Sequence, residues 1–342
     1  TISGRVTGVQ TCALPIYQKK KKTFKILSID GGGIKGIYSA ALLAKFEELS
    51  NQRITDCFDL ICGTSTGGLI AILLGAGFSA NEIVNFYKNN ASKIFPERNV
   101  IISYIKQVCG INKHNNDSLR NALTQLLKDK QMKDAVINLC IPSIDCDNEK
   151  PVVFKTPHDP KFTRDAELKM LDVALATSAA PAFLPKHKLK ELERSMIDGG
   201  LWANNPALVG VIEAQNLFLK QDSYENFALL SIGNIDTNTG CFTKFGKRNL
   251  WNPLFLVELI GFFMHIQSKS VENMVSILKR TTGSTYNRIY AKNFAPDQYL
   301  KIQLDTCDSD ILGKLIGKGY SDAEHYWADA NIKAYMTSKI KI

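Results

Sequence analysis

Three features of the chain predict an α/β fold with a mostly parallel central sheet flanked by helices. Apolar strand-like runs alternate with helical patterns up to about residue 240. Two of these runs end in glycine-rich turns, at 30–36 and 63–67, that open directly into apolar helices. No Pro/Gly/Ser-rich linker divides the 342 residues, and hydrophobic residues make up 45% of them, ample for one large core. A single domain over 17–342 follows, with its core at about 23–234 and a helical C-terminal part at about 245–342. No internal repeat is visible.

The first strand reads Phe24-Lys25-Ile26-Leu27-Ser28-Ile29 and ends in Asp30-Gly31-Gly32-Gly33-Ile34-Lys35-Gly36. A helix follows at once from Ile37 to Phe46, with apolar residues at helical spacing. Three successive glycines let backbone N–H groups converge on one point, a device that stabilises the oxyanion of acyl transfer by several kcal/mol. Gly31, Gly33 and Gly36 also fit the dinucleotide pattern G-x-G-x-x-G. That reading needs an acidic ribose ligand at the end of the next strand, where this chain has a serine turn instead. A phosphate loop is excluded, because no Gly-Lys-Ser or Gly-Lys-Thr follows the glycines.

The second strand, Phe58-Asp59-Leu60-Ile61-Cys62, runs into Gly63-Thr64-Ser65-Thr66-Gly67, and an apolar helix is expected from near Gly68. A serine between glycines at a sharp strand-to-helix turn is a nucleophile elbow. Its backbone is strained, and its hydroxyl stands above the sheet edge at a helix start. Ser65 is therefore the candidate nucleophile.

Such a serine needs a base. None of the five histidines, His114, His158, His187, His265 and His325, sits at a clear strand end beside small residues. His265 reads as packed in an apolar helix, and His158 and His187 as solvated in polar loops. Asp198 ends a short strand, Arg194-Ser195-Met196-Ile197, and precedes Gly199-Gly200. Partial burial would raise its pKa toward that of a useful base. Taken alone, Asp-Gly-Gly is an ordinary turn. A Ser-His-Asp hydrolase and a non-enzymatic nucleotide sensor, with the Gly31–Gly36 loop on phosphate, remain as rivals.

Together, Asp30–Gly36, Gly63–Gly67 and Asp198–Gly200 occur in the order and context of the patatin-like phospholipases, which the chain resembles over roughly 23–234. Two further stretches, Ala176–Pro185 and Trp202–Pro206, are similar to that family as well. The resemblance implies a three-layer patatin-like fold and a Ser65–Asp198 dyad that cleaves fatty-acyl esters of membrane glycerophospholipids. It implies an oxyanion hole from the amides of Gly32, Gly33 and Lys35, and neither cofactor nor metal. Within the family the chain looks most like bacterial effectors of cyclic-oligonucleotide anti-phage signalling (CBASS). That likeness implies an activating ligand, 3′,3′-cyclic GMP-AMP or a related cyclic dinucleotide, and a cytoplasmic enzyme acting at the inner face of the membrane. An unregulated patatin-like lipase is the alternative.

The net charge is +9, and Lys19–Lys22 forms a basic run. It reads as a solvated terminus or as attraction to anionic headgroups, at about 1 kcal/mol per basic residue. No aromatics are interleaved as single-stranded nucleic acid would require, so neither DNA nor RNA is expected as a partner. The eight cysteines contain no C-x-x-C, which argues for reduced thiols and against a zinc knuckle. The apolar run 251–264 is too short to span a bilayer. It reads as a buried helix or, second, as a lipid-docking lid. Ile101–Ile111 reads as a core-facing helix or an acyl-chain entrance. Residues 1–16, which include Val6–Ile16, resemble a translated sequencing-adapter read-through and are expected to be disordered and without function.

Overall fold

The computed structural model describes residues 22–94, 117–181, 183–220, 224–235, 254–291 and 309–337. The adapter-like segment at 1–16 and the Ile101–Ile111 stretch lie outside these residues.

A mixed sheet forms the centre. Its strands are β1 (Lys22–Ile29), β2 (Leu60–Gly63), β3 (Asn138–Asp145), β4 (Lys150–Lys155), β5 (His187–Leu189), β6 (Arg194–Asp198), β7 (Tyr224–Ile235) and β8 (Thr285–Ala291). They lie in the order β5-β6-β3-β2-β1-β7-β8, with β4 also paired to β3. The pairs β3–β2, β2–β1, β1–β7 and β7–β8 are parallel. The pairs β3–β4, β3–β6 and β5–β6 are antiparallel. The expected parallel sheet is therefore its centre and one flank, and short hairpin-linked strands close the other.

Side chains alternate across β1 with the strand period of two. Leu27 and Ile29 join one hydrophobic cluster, and Phe24 and Ile26 join a second. The first cluster holds the helices α1 (Gly36–Ser50), α3 (Thr66–Gly75), α4 (Ala80–Ile94), α5 (Asp117–Leu127), α6 (Met170–Thr177) and α10 (Ser309–Trp327). The one-turn helices α2 (Ile54–Cys57) and α7 (Gly200–Ala203) lie in the connections. The second cluster holds α8 (Ala207–Glu213) and α9 (Leu254–Thr282). Helices thus cover both faces of the sheet, which is why β1 and β2 read as near-continuous apolar runs.

The C-terminal part is helical, ending in α11 (Ala330–Thr337), with one addition. β8 interrupts it and extends the sheet beside β7. At seven residues, bounded by the end of one long helix, this strand gives too short a pattern to stand out in the sequence.

Candidate active site

Ser65 sits between β2 and α3 with φ 54° and ψ −120°, a left-handed backbone that costs a non-glycine residue of order 1–3 kcal/mol. It forms the N-cap of α3, which starts at Thr66 rather than near Gly68. Its surroundings hold the strained turn in place. The Ser65 N–H donates to Thr177 Oγ1 at 3.0 Å, and the Thr177 hydroxyl donates to the Pro142 carbonyl at 2.6 Å. Next to it, Thr64 Oγ1 donates to the Ala203 carbonyl at 2.6 Å. Gly67 lets α3 start directly against the end of β1, because an added methyl would overlap the Ile29 carbonyl oxygen.

The base candidate arrives from the antiparallel flank of the sheet. Asp198 ends β6 and lies in register with Ser143 of β3. The Ser65 hydroxyl donates to Asp198 Oδ2 at 2.5 Å, and the Gly200 N–H donates to Oδ1 at 2.7 Å. The Asp198 N–H is tied to the Ala179 carbonyl at 3.0 Å. Both carboxylate oxygens thus have one protein donor each. Burial raises the Asp198 pKa to about 6, and the two hydrogen bonds only partly offset that rise. An acid of this strength is ionised at neutral pH yet basic enough to take a hydroxyl proton in a transition state. kcat/KM measured on a soluble ester is accordingly expected to fall by about tenfold per pH unit below pH 6 and to be flat above it. A profile with its inflection set by a histidine, unchanged when Asp198 is replaced, would argue against this base.

The glycine-rich loop faces the same point. Gly33 adopts φ 60°, which only glycine takes without strain, and it lines the pocket that holds Ser65 and Asp198. Gly31 packs against Ser65, its N–H bonded to the Asn204 carbonyl and its own carbonyl to Asn234 Nδ2. The Lys35 N–H turns back onto the Gly32 carbonyl at 3.3 Å. Among the described residues no protein acceptor meets the amides of Gly32 and Gly33. Burial lowers the Lys35 ammonium to about 8. Gly36 packs against Thr66, Gly63 against Gly67 and Gly199 against Pro142, so the remaining motif glycines are points where two backbones or a backbone and a side chain meet closely.

Asp30 anchors this loop from below. Arg288, on β8, grips its carboxylate with both Nη atoms, at 2.8 and 2.5 Å, and also donates to Ser231 Oγ at 2.7 Å. Burial pushes the Asp30 carboxyl above its usual range, against the pull of the guanidinium. No local motif announces Arg288; only the fold brings it to Asp30 across 258 residues. Thr177 was visible as part of a family-like stretch, but its role in holding the Ser65 amide needed the structure.

The pocket at Ser65 is almost wholly apolar. Leu69, Phe86, Phe183, Leu184, Ile260 and Met264 are among its walls. Such a lining suits an acyl chain and is a poor cradle for the pyrophosphate of a dinucleotide. Ile260 and Met264 belong to the run expected first as a buried helix. That expectation fails: α9 forms one wall of the pocket, and Phe263 beside it is 54% exposed. Leu201, at 37% exposure, lines the pocket too.

The histidines expected to be solvated are not. The His187 side chain is 4% exposed, with Nε2 paired to Asp172 Oδ1 at 3.0 Å. The His158 side chain is 3% exposed, with Nε2 paired to Glu213 Oε1 at 2.9 Å. His187 opens β5 and meets the half-buried Asp172, and the His158 loop folds back onto the buried Glu213, long-range events that local polarity does not reveal. Among the described residues no helix is long and apolar enough to cross a membrane.

The family model for patatin-like phospholipases matches residues 27–211. A cGAMP-activated phospholipase of Escherichia coli (strain TW11681) is 36% identical over 94% of this chain and 95% of its own. A cGAMP-activated phospholipase of Pseudomonas aeruginosa (strain BWHPSA011 / Pa011) is 33% identical over 90% of each. Among solved structures, human GIVD cytosolic phospholipase A2 aligns with a TM-score of 0.46 at 10% identity, covering 92% of this chain and 60% of that one. The family match spans more than half of the chain, and the chain belongs to the patatin-like phospholipases, hydrolases of carboxylic esters.

Proposed function

We propose that the chain releases fatty acid from membrane glycerophospholipids through a Ser65–Asp198 dyad, and that a cyclic dinucleotide switches it on. The observation that carries the chemistry is the 2.5 Å hydrogen bond from Ser65 Oγ to Asp198 Oδ2 at the wall of an apolar pocket, where a triad would place a histidine. Asp198 takes the Ser65 proton as Oγ attacks the ester carbonyl. The Gly32 and Gly33 amides hold the oxyanion, while the Lys35 N–H is taken by the Gly32 carbonyl and closes the loop behind them. As the tetrahedral intermediate collapses, Asp198 returns the proton to the departing lysolipid alkoxide, leaving fatty acid esterified to Ser65. Water deprotonated by Asp198 then releases it.

The proposed regulation draws support from the two bacterial relatives, both named as cGAMP-activated and both matched over nearly their whole length. By that reading the enzyme is cytoplasmic, acts at the inner face of the membrane and serves anti-phage defence. The test is fatty-acid release from phospholipid vesicles with and without 3′,3′-cyclic GMP-AMP, with Ser65→Ala as control. Release only with the nucleotide is expected. Equal release without it would leave an unregulated lipase and remove the activator.

A further inference from the structure

Cys140, His158 and Glu213 lie on the opposite face of the sheet from α1, where their ligand atoms all fall within 4.8 Å of one another. They come from three separate elements: β3, the loop after β4, and α8. Cys62 of β2 is the register partner of Cys140 and lies within hydrogen-bond reach of its thiol. We infer that Cys140, His158 and Glu213 form a binding site for a single divalent zinc-like cation, with Cys62 beside its fourth position.

The donors suit that class of ion. Thiolate, imidazole and carboxylate together select a borderline-soft cation such as Zn²⁺ over Mg²⁺ or Ca²⁺. The two non-sulfur ligands are each held from behind, as metal ligands commonly are. Thr156 Oγ1 meets His158 Nδ1 at 2.8 Å, so this ring nitrogen can hold the proton once a cation takes the place of the 2.9 Å contact between Nε2 and Glu213 Oε1. Lys155 Nζ donates to Glu213 Oε2 at 2.6 Å, leaving Oε1 on the side of His158. Binding would release the Cys140 proton to solvent, and the cation would then balance one thiolate and one carboxylate. Affinity should therefore rise with pH. The charges that face Cys140 from the packed elements are Glu213 and Lys155.

The location ties this site to the fold of the elbow. Cys62 of β2 stands three residues before Ser65, and a cation here would clamp β3, the β4 loop and α8 at the base of the turn. The chemistry of ester cleavage does not pass through it.

The experiment uses the full chain stripped with a chelator, titrated with Zn²⁺ by calorimetry and with Co²⁺ by absorption. One equivalent should bind, and cobalt should show a tetrahedral spectrum with a thiolate charge-transfer band. His158→Gln should weaken binding by about a hundredfold or more, and Thr156→Val, which removes the support behind the ring and also the acceptor of the Leu139 N–H, by about 10–100-fold. Zn²⁺ should raise the unfolding midpoint of the unaltered chain and not that of His158→Gln. Absence of the cobalt thiolate band in the unaltered, folded chain overturns the inference. So does zinc affinity that is unchanged in Cys140→Ser or His158→Gln. Should Cys140→Ser fail to fold, the cobalt spectrum of the unaltered chain and the His158→Gln titration still decide.

Discussion

Asp198→Asn is expected to abolish ester hydrolysis and to stabilise the fold at the same time. Asparagine keeps the shape. Its carbonyl can accept from the Gly200 N–H and its amide can donate to Ser65 Oγ, so the positions of both neighbours survive. What disappears is the proton acceptor, and loss of a positioned base costs about 10²–10⁴-fold in rate. The stability gain follows from the raised pKa. A carboxyl at 3.8 in the unfolded chain and about 6 in the folded one binds its proton more tightly when folded. Its contribution is present below pH 3.8 and is lost as pH rises through 6. At pH 7 the ionised group therefore burdens the fold by about 3 kcal/mol, at 1.36 kcal/mol per unit. Urea unfolding of the two proteins across pH 3–8 checks this. The variant should be the more stable above pH 6, and the gap should close toward pH 4. A variant that is less stable at every pH would mean that Asp198 is a structural ion rather than a strained base.

Arg288→Met is expected to unfold or severely weaken the protein, by about 3–5 kcal/mol, because it leaves the Asp30 carboxylate buried without its partner. The effect should reach the active site, since the oxyanion loop begins at the next residue. The double variant Asp30→Asn with Arg288→Met removes both charges and should recover much of the stability. Arg288→Lys keeps a charge but loses the two-pronged grip, and should fold with reduced kcat/KM. Denaturant midpoints and initial rates for the three proteins separate the two effects. Unchanged stability in Arg288→Met would show that the pair holds neither the sheet nor the loop.

These two residues mark what the sequence can and cannot disclose. Ser65 and the Gly31–Gly36 loop are legible because strand, turn and helix follow one another within a dozen residues, and local spacing fixes their geometry. Asp198 is legible only beside them; its own turn is commonplace. Arg288 is not legible at all, because its meaning depends on β8 lying next to β7, and the 29-residue helix α9 lies between them in sequence. His158 and His187 look solvated for the same reason: the sequence around them is polar, and their partners Glu213 and Asp172 lie 55 and 15 residues away in sequence. The run at 251–264 looks like core because apolar composition is shared by core helices and lipid-facing ones. Only the placement of Ile260 and Met264 at the Ser65 pocket tells them apart.

The most direct test is covalent. The full chain is treated with a fluorophosphonate, with and without 3′,3′-cyclic GMP-AMP, and the adduct is mapped by mass spectrometry in the unaltered protein and in Asp198→Asn. A single adduct on Ser65, formed far more slowly in Asp198→Asn, is the predicted result. A folded protein that carries no adduct on Ser65 under either condition, or one whose Ser65 reacts as fast without Asp198, would contradict the dyad.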